Sequence, residues 1–92
     1  EADAARQLTM WAAWSIGKGS SDALVAVSCA KLYASETAVR NASRAVRIFG
    51  ADGYANGSVA ERLYRDVKYL EIGDGPSEVV RMNIADEIIG EL

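Results

Sequence analysis

Residues 20–49 read SSDALVAVSCAKLYASETAVRNASRAVRIF, thirty positions without a proline or a glycine. Within them Val27, Ala30, Ala34, Ala38, Ala42, Ala45 and Phe49 recur every three or four residues, the period that collects side chains on one face of an α-helix. Small side chains along such a stripe let a neighbouring helix approach closely. Ser20 or Ser21 is placed to cap the start. At a rise of ~1.5 Å per residue the helix would span about 45 Å, long for a chain of 92 residues. It needs long partners beside it.

The flanking sequence supplies shorter ones. Upstream, residues 1–16 carry Leu8, Trp11, Ala12 and Trp14 among good helix formers, and Gly17 and Gly19 are expected to end that helix. Downstream, residues 50–57 read GADGYANG, an expected loop whose three glycines imply positive φ or close backbone approach. Ser58 is then expected to cap a third helix with the stripe Val59, Leu63, Val67 and Leu70. Gly73-Asp74-Gly75 breaks it, and Pro76 takes the first position of a fourth helix with Val80, Ile84, Ile88 and Leu92 on one face. Nothing reads as a strand. The pattern predicts an all-α fold, part of an up-and-down four-helix bundle, in which the long helix lacks a partner of its own length.

Composition narrows the function. A net charge of −3 argues against a nucleic-acid partner, which needs a concentrated positive face. Arg40, Arg44 and Arg47 share a helical face, but such a row is expected to be solvated or paired with carboxylates, and Glu36 lies one turn before Arg40. No apolar run reaches the roughly 20 residues of a membrane span. Cys29 is the one cysteine and there is no histidine, so neither an internal disulfide, nor a base-activated thiol, nor a transition-metal site is expected. Trp11, Trp14 and Tyr33 read as core or subunit-contact aromatics. The chain starts at Glu1 without a methionine, and is expected to be a piece of something longer.

Four stretches, taken in order, resemble the C-terminal helical domain of the acyl-CoA dehydrogenase family. Ala5-Arg6-Gln7-Leu8-Thr9 with Ala12-Ala13-Trp14 is similar to the penultimate bundle helix; Ala30-Lys31, Ser35-Glu36 and Ala38 resemble the next. The segment from Arg47 to Tyr54 is similar to the family's glutamine-x-x-glycine-glycine-x-glycine-aromatic turn, with Arg47 in place of glutamine. Glu61-Arg62-Leu63-Tyr64-Arg65-Asp66 and Asp74-Gly75-Pro76-Ser77-Glu78-Val79-x-Arg81 resemble the closing signature, in which an acid and glycine usually precede threonine or serine. The order and spacing run over nearly the whole chain. The resemblance further implies that residues 1–92 are this domain without its first helix.

What the resemblance implies about chemistry is specific. It makes the chain the C-terminal part of an FAD-dependent enzyme that removes the α-proton of an acyl thioester while a β-hydride passes to the flavin. Asp74 stands where the family's catalytic glutamate stands, one methylene shorter. On pattern alone Gly73-Asp74-Gly75-Pro76 reads as a helix-to-helix turn that requires no function. Gly75 would offer its backbone to the substrate carbonyl. Arg47, Gly50, Ala51 and Gly53 would touch flavin held mainly by an adjacent subunit; by themselves the glycines read as a tight turn. Pro76, Ser77 and Glu78 fall at the family's flavin contacts, where Pro76 lacks both hydroxyl and amide hydrogen and Ser77 offers a hydroxyl one position later. The implied partners are an acyl-CoA or acyl-carrier-protein thioester, electron-transfer flavoprotein or a similar acceptor, and further copies in a dimer or tetramer. The implied location is the cytoplasm, or the mitochondrial matrix in a eukaryote. A different class of function competes with this: a non-catalytic assembly or docking subunit derived from the same fold.

Overall fold

The computed structural model describes residues 1–90. Five α-helices follow one another: α1 Ala2–Lys18, α2 Ala23–Phe49, α3 Ala51–Tyr54, α4 Val59–Lys68 and α5 Ser77–Ile89, with a 3₁₀ turn Tyr69–Glu71 after α4. There is no strand among the described residues. The helical class follows from the sequence pattern, and the long α2 is its mast. Helix α1 runs back along one flank of α2, while α3, α4, the 3₁₀ turn and α5 gather on the rest of it.

The helix ends explain the hairpin between α1 and α2. Gly17 does not stop α1; Gly19 does, adopting the left-handed conformation (φ 71°) and returning its N–H to the carbonyls of Ser15 and Ile16. Glycine tolerates that conformation without steric cost. The cap of α2 is Asp22 rather than either serine. Ser20 instead shapes the connection, its Oγ accepting from the Asp22 N–H at 3.1 Å.

Burial departs from the expected stripes for a shared reason. Because α2 is gripped from more than one side, its buried positions are Ala26, Ala30, Ser35 and Thr37, not a single alanine row. Ala30 belongs to the expected stripe and is buried, but Val27 and Phe49 at its two ends are exposed. Ala12 packs against Ala26 and Ala30, with Leu8 beside them. Helix α4 docks through Ala60, while Val59, Leu63 and Leu70 of its expected apolar face are exposed. In α5 Val80 is buried and Ile88 exposed; Leu92, expected on the same face, lies outside the described residues. Trp11 and Trp14 are exposed, Trp14 under the Lys18 ammonium at 4.4 Å.

Charge pairs fix the outer helices. Glu1 accepts from Arg40 at 2.6 Å and from Arg44 at 2.7 Å, so the arginine row does pair with a carboxylate. The partner is not Glu36, which the turn-by-turn spacing pointed to. The antiparallel run of α1 brings Glu1 to that row, and Glu36 is taken by Arg81 of α5 at 2.5 Å.

Candidate functional site

The turn between the 3₁₀ segment and α5 carries the candidate base. Ile72 and Gly73 return their N–H groups to the Tyr69 carbonyl, and the exposed Tyr69 ring lies over Gly73, so that a Cβ there would require the ring to swing aside. The backbone then turns left-handed twice, at Asp74 (φ 56°) and Gly75 (φ 106°). Asp74 is the one non-glycine residue with positive φ among the described residues. That conformation costs an aspartate roughly 1 kcal/mol, and strain of this kind concentrates at functional positions. The Asp74 side chain is exposed.

Pro76 is extended (φ −58°, ψ 154°) and caps α5, so the helix begins at Ser77, one residue later than expected. The first turn of a helix leaves its N–H groups without intrahelical partners. Here the Ser77 hydroxyl lies within that turn, buried and with no hydrogen-bond partner. Buried polar atoms of this kind are uncommon in folded proteins. The Gly75 N–H also finds no backbone acceptor among the described residues, whereas the Gly75 carbonyl accepts from Lys31 Nζ at 2.7 Å. Asp74, Gly75, Pro76, Ser77 and Glu78 therefore lie together at one end of α5, with Asp74, Pro76 and Glu78 exposed and Ser77 buried beneath them.

The second group of predicted residues sits elsewhere. Arg47 is in the last turn of α2, Gly50 (φ 67°) joins α2 to α3, and Ala51 starts α3. The expected loop is thus largely a short helix. Gly50 and Ala51 are exposed. Gly53 is buried: a Cβ there would fall 2.7 Å from Phe49 Cβ and 2.9 Å from the Val46 carbonyl oxygen. Its lack of a side chain is what lets α3 fold back onto α2. Ser58 fastens the far side, donating to the Gly53 carbonyl at 2.8 Å and accepting from the Glu61 N–H at 3.0 Å.

Between α2, α3 and α4 opens a groove of about 810 Å³. Arg47, Tyr54, Tyr64, Arg65 and Lys68 line it. Sequence reasoning picked out Arg47 and Gly53 here but not Tyr64, Arg65 or Lys68. Their i, i+4 spacing along α4 (Tyr64 to Lys68) was the available signal. Lys31 and Arg47 are sixteen residues apart on one helix, about 24 Å by helical rise. One copy of the chain therefore does not bring Arg47 itself to the Asp74 turn, although Lys68 at the other side of the groove pairs with Glu71 at 2.9 Å.

Helix content and helix order define an all-α bundle domain, in which Asp74 sits on a left-handed turn ahead of α5. A profile described as acyl-CoA dehydrogenase, C-terminal domain, matches residues 1–89, and the chain belongs to that family. It is 39% identical over 89 residues to a probable acyl-CoA dehydrogenase of Bacillus subtilis, covering 97% of this chain and 23% of that protein. To the cyclohexane-1-carbonyl-CoA dehydrogenase of Geobacter metallireducens it is 36% identical over 89 residues, with the same coverage. To the human mitochondrial short-chain specific acyl-CoA dehydrogenase it is 37% identical over 87 residues, 95% of this chain and 21% of that one. The chain thus spans less than a quarter of the length of these relatives.

Proposed function

We propose that the chain is the C-terminal helical part of an FAD-dependent acyl-CoA dehydrogenase, acting on an acyl-CoA or acyl-carrier-protein thioester, with Asp74 as the base that takes the α-proton. The observation that carries this is the turn at residues 73–77: an exposed acid on a left-handed backbone, followed by a glycine N–H without a backbone acceptor and a buried serine hydroxyl without a partner. A carboxylate held on a defined turn is suited to accept a proton within hydrogen-bond reach. The Gly75 N–H, beside it, is a donor for the carbonyl oxygen on which charge develops when the α-proton leaves.

The residues present fit a flavin in two places. At the α5 end the first-turn N–H groups suit the polar edge of an uncharged ring, with the Ser77 hydroxyl buried beneath them, while the Glu78 carboxylate would repel a phosphate. At the groove end Arg47 suits phosphate oxygens, Arg65 and Lys68 being paired with Glu61 and Glu71, and Tyr54 and Tyr64 suit an aromatic face. Gly50 and Ala51 would approach the same group by backbone. When bound, the flavin supplies hydride acceptance. Since one copy keeps Arg47 about 24 Å along α2 from Lys31, which holds the Asp74 turn, two copies would serve one flavin, which favours a dimer or tetramer. The reoxidant is then electron-transfer flavoprotein or a similar acceptor. The compartment is the cytoplasm, or the mitochondrial matrix in a eukaryote; no helix among the described residues is long and apolar enough to cross a membrane.

Purifying the full-length protein that carries this chain tests the reading. Stoichiometric flavin that bleaches on anaerobic addition of an acyl thioester is the expected result. A well-folded, flavin-free protein would instead establish the assembly-module alternative.

A further inference from the structure

The turn that presents Asp74 has no backbone hydrogen bond across residues 74 and 75 among the described residues. What spans it is a side chain from the N-terminal third of α2. Lys31 Nζ donates to the Leu70 carbonyl at 2.9 Å, before the turn, and to the Gly75 carbonyl at 2.7 Å, after it. These partners are 39 and 44 residues away in the chain. A lysine suits the task because its long stem ends in three donors and can serve two carbonyls at once.

We propose that Lys31 is a positioning residue for the deprotonation step: by bridging the two sides of the turn it fixes the distance and direction at which Asp74 meets the substrate α-carbon. The inference rests on Asp74 being the base. Docking of α5 does not depend on Lys31 alone, since Arg81 is held by Glu36 at 2.5 Å and Val80 is buried. Removing the Lys31 donors therefore frees the turn without releasing the helix. The carboxylate of an aspartate is short, so slack in its backbone cannot be taken up by the side chain. A displacement of about 1 Å at the reacting group is enough to cost ~100-fold in rate.

The test is made in the full-length, flavin-loaded protein, reading the rate of flavin bleaching by an acyl thioester. Lys31→Met, which keeps the stem and loses the donors, is expected to lower kcat about 100-fold with KM and flavin content unchanged. Lys31→Arg, whose fork can still reach two carbonyls, is expected to recover most of the rate. Should Lys31→Met fail to fold, Lys31→Gln, with one short donor group, is read in the same way. Full rate in Lys31→Met, or a loss confined to KM, overturns the proposal. So does loss of folding or flavin in both variants, which marks the lysine as a structural staple. Asp74→Asn, measured alongside, separates the two claims. An inactive Asp74→Asn beside a fully active Lys31→Met overturns only the role of Lys31, whereas an active Asp74→Asn removes the base itself.

Discussion

Glu1, Arg40 and Arg44 show how much one residue's titration can say about packing. The guanidiniums of Arg44 and Arg40 lower the Glu1 carboxyl from its ordinary 4.5 to about 2. Folding therefore favours the carboxylate, and this contribution to stability is complete above pH 4.5 and drains away as the pH falls towards 2. Glu1→Gln is expected to flatten the decline of Tm across that window, without changing Tm's slope near neutrality. Superimposable acid limbs for the two proteins would show that the pair does not hold α1 to α2. At this scale the sequence was a partial guide. The turn at Gly73-Asp74-Gly75 was readable from its glycines, but the roles proposed for Asp74, Gly75 and Ser77 come from the family resemblance and not from any local pattern. Lys31 could be quoted as part of a pattern, but its bridge joins residues tens of positions apart, and no local period encodes that.

Among the elements, α3 is the one whose character the sequence misstated. Three glycines in eight residues argued for a loop at 50–57, yet Ala51–Tyr54 is helical. The reason is that Gly53 is needed for close approach to Val46 and Phe49 rather than for a turn conformation. Gly53→Ala is accordingly expected to destabilise the protein by about 1–3 kcal/mol, the usual cost of overpacking a tight contact, as read from chemical denaturation. An unchanged midpoint would mean that α3 does not pack as closely as its geometry requires. The Ser58 cap, by contrast, was readable from its place before an amphipathic run, and its side chain does accept from Glu61. Stripes fared less well than caps. Periodicity identifies a helix and its apolar residues, but it cannot tell which of them a single chain covers when several helices share one mast.

The molecule as a whole exposes more surface than its mass warrants. Its accessible area is 6453 Å², against about 5200 Å² for a compact monomer of this mass. Its radius of gyration is 15.7 Å, where roughly 12 Å is usual for such a length. The excess is apolar in good part: Met10, Trp14, Ile48, Phe49 and Ile88 are all exposed. Surfaces of that kind are normally covered by other protein. The isolated 92-residue chain is therefore expected to self-associate or bind an apolar dye, and to hold no flavin tightly, as sedimentation and absorbance would show. A monodisperse monomer carrying one flavin would contradict both the divided cofactor site and the uncovered faces.

The central claim is that Asp74 removes the substrate proton, and one measurement addresses it most directly. Full-length protein and its Asp74→Asn variant, each loaded with flavin, are mixed anaerobically with an acyl thioester while the flavin absorbance is followed. The account predicts rapid bleaching in the first and essentially none in the second, with flavin equally retained in both. Bleaching at the same rate in Asp74→Asn would contradict it.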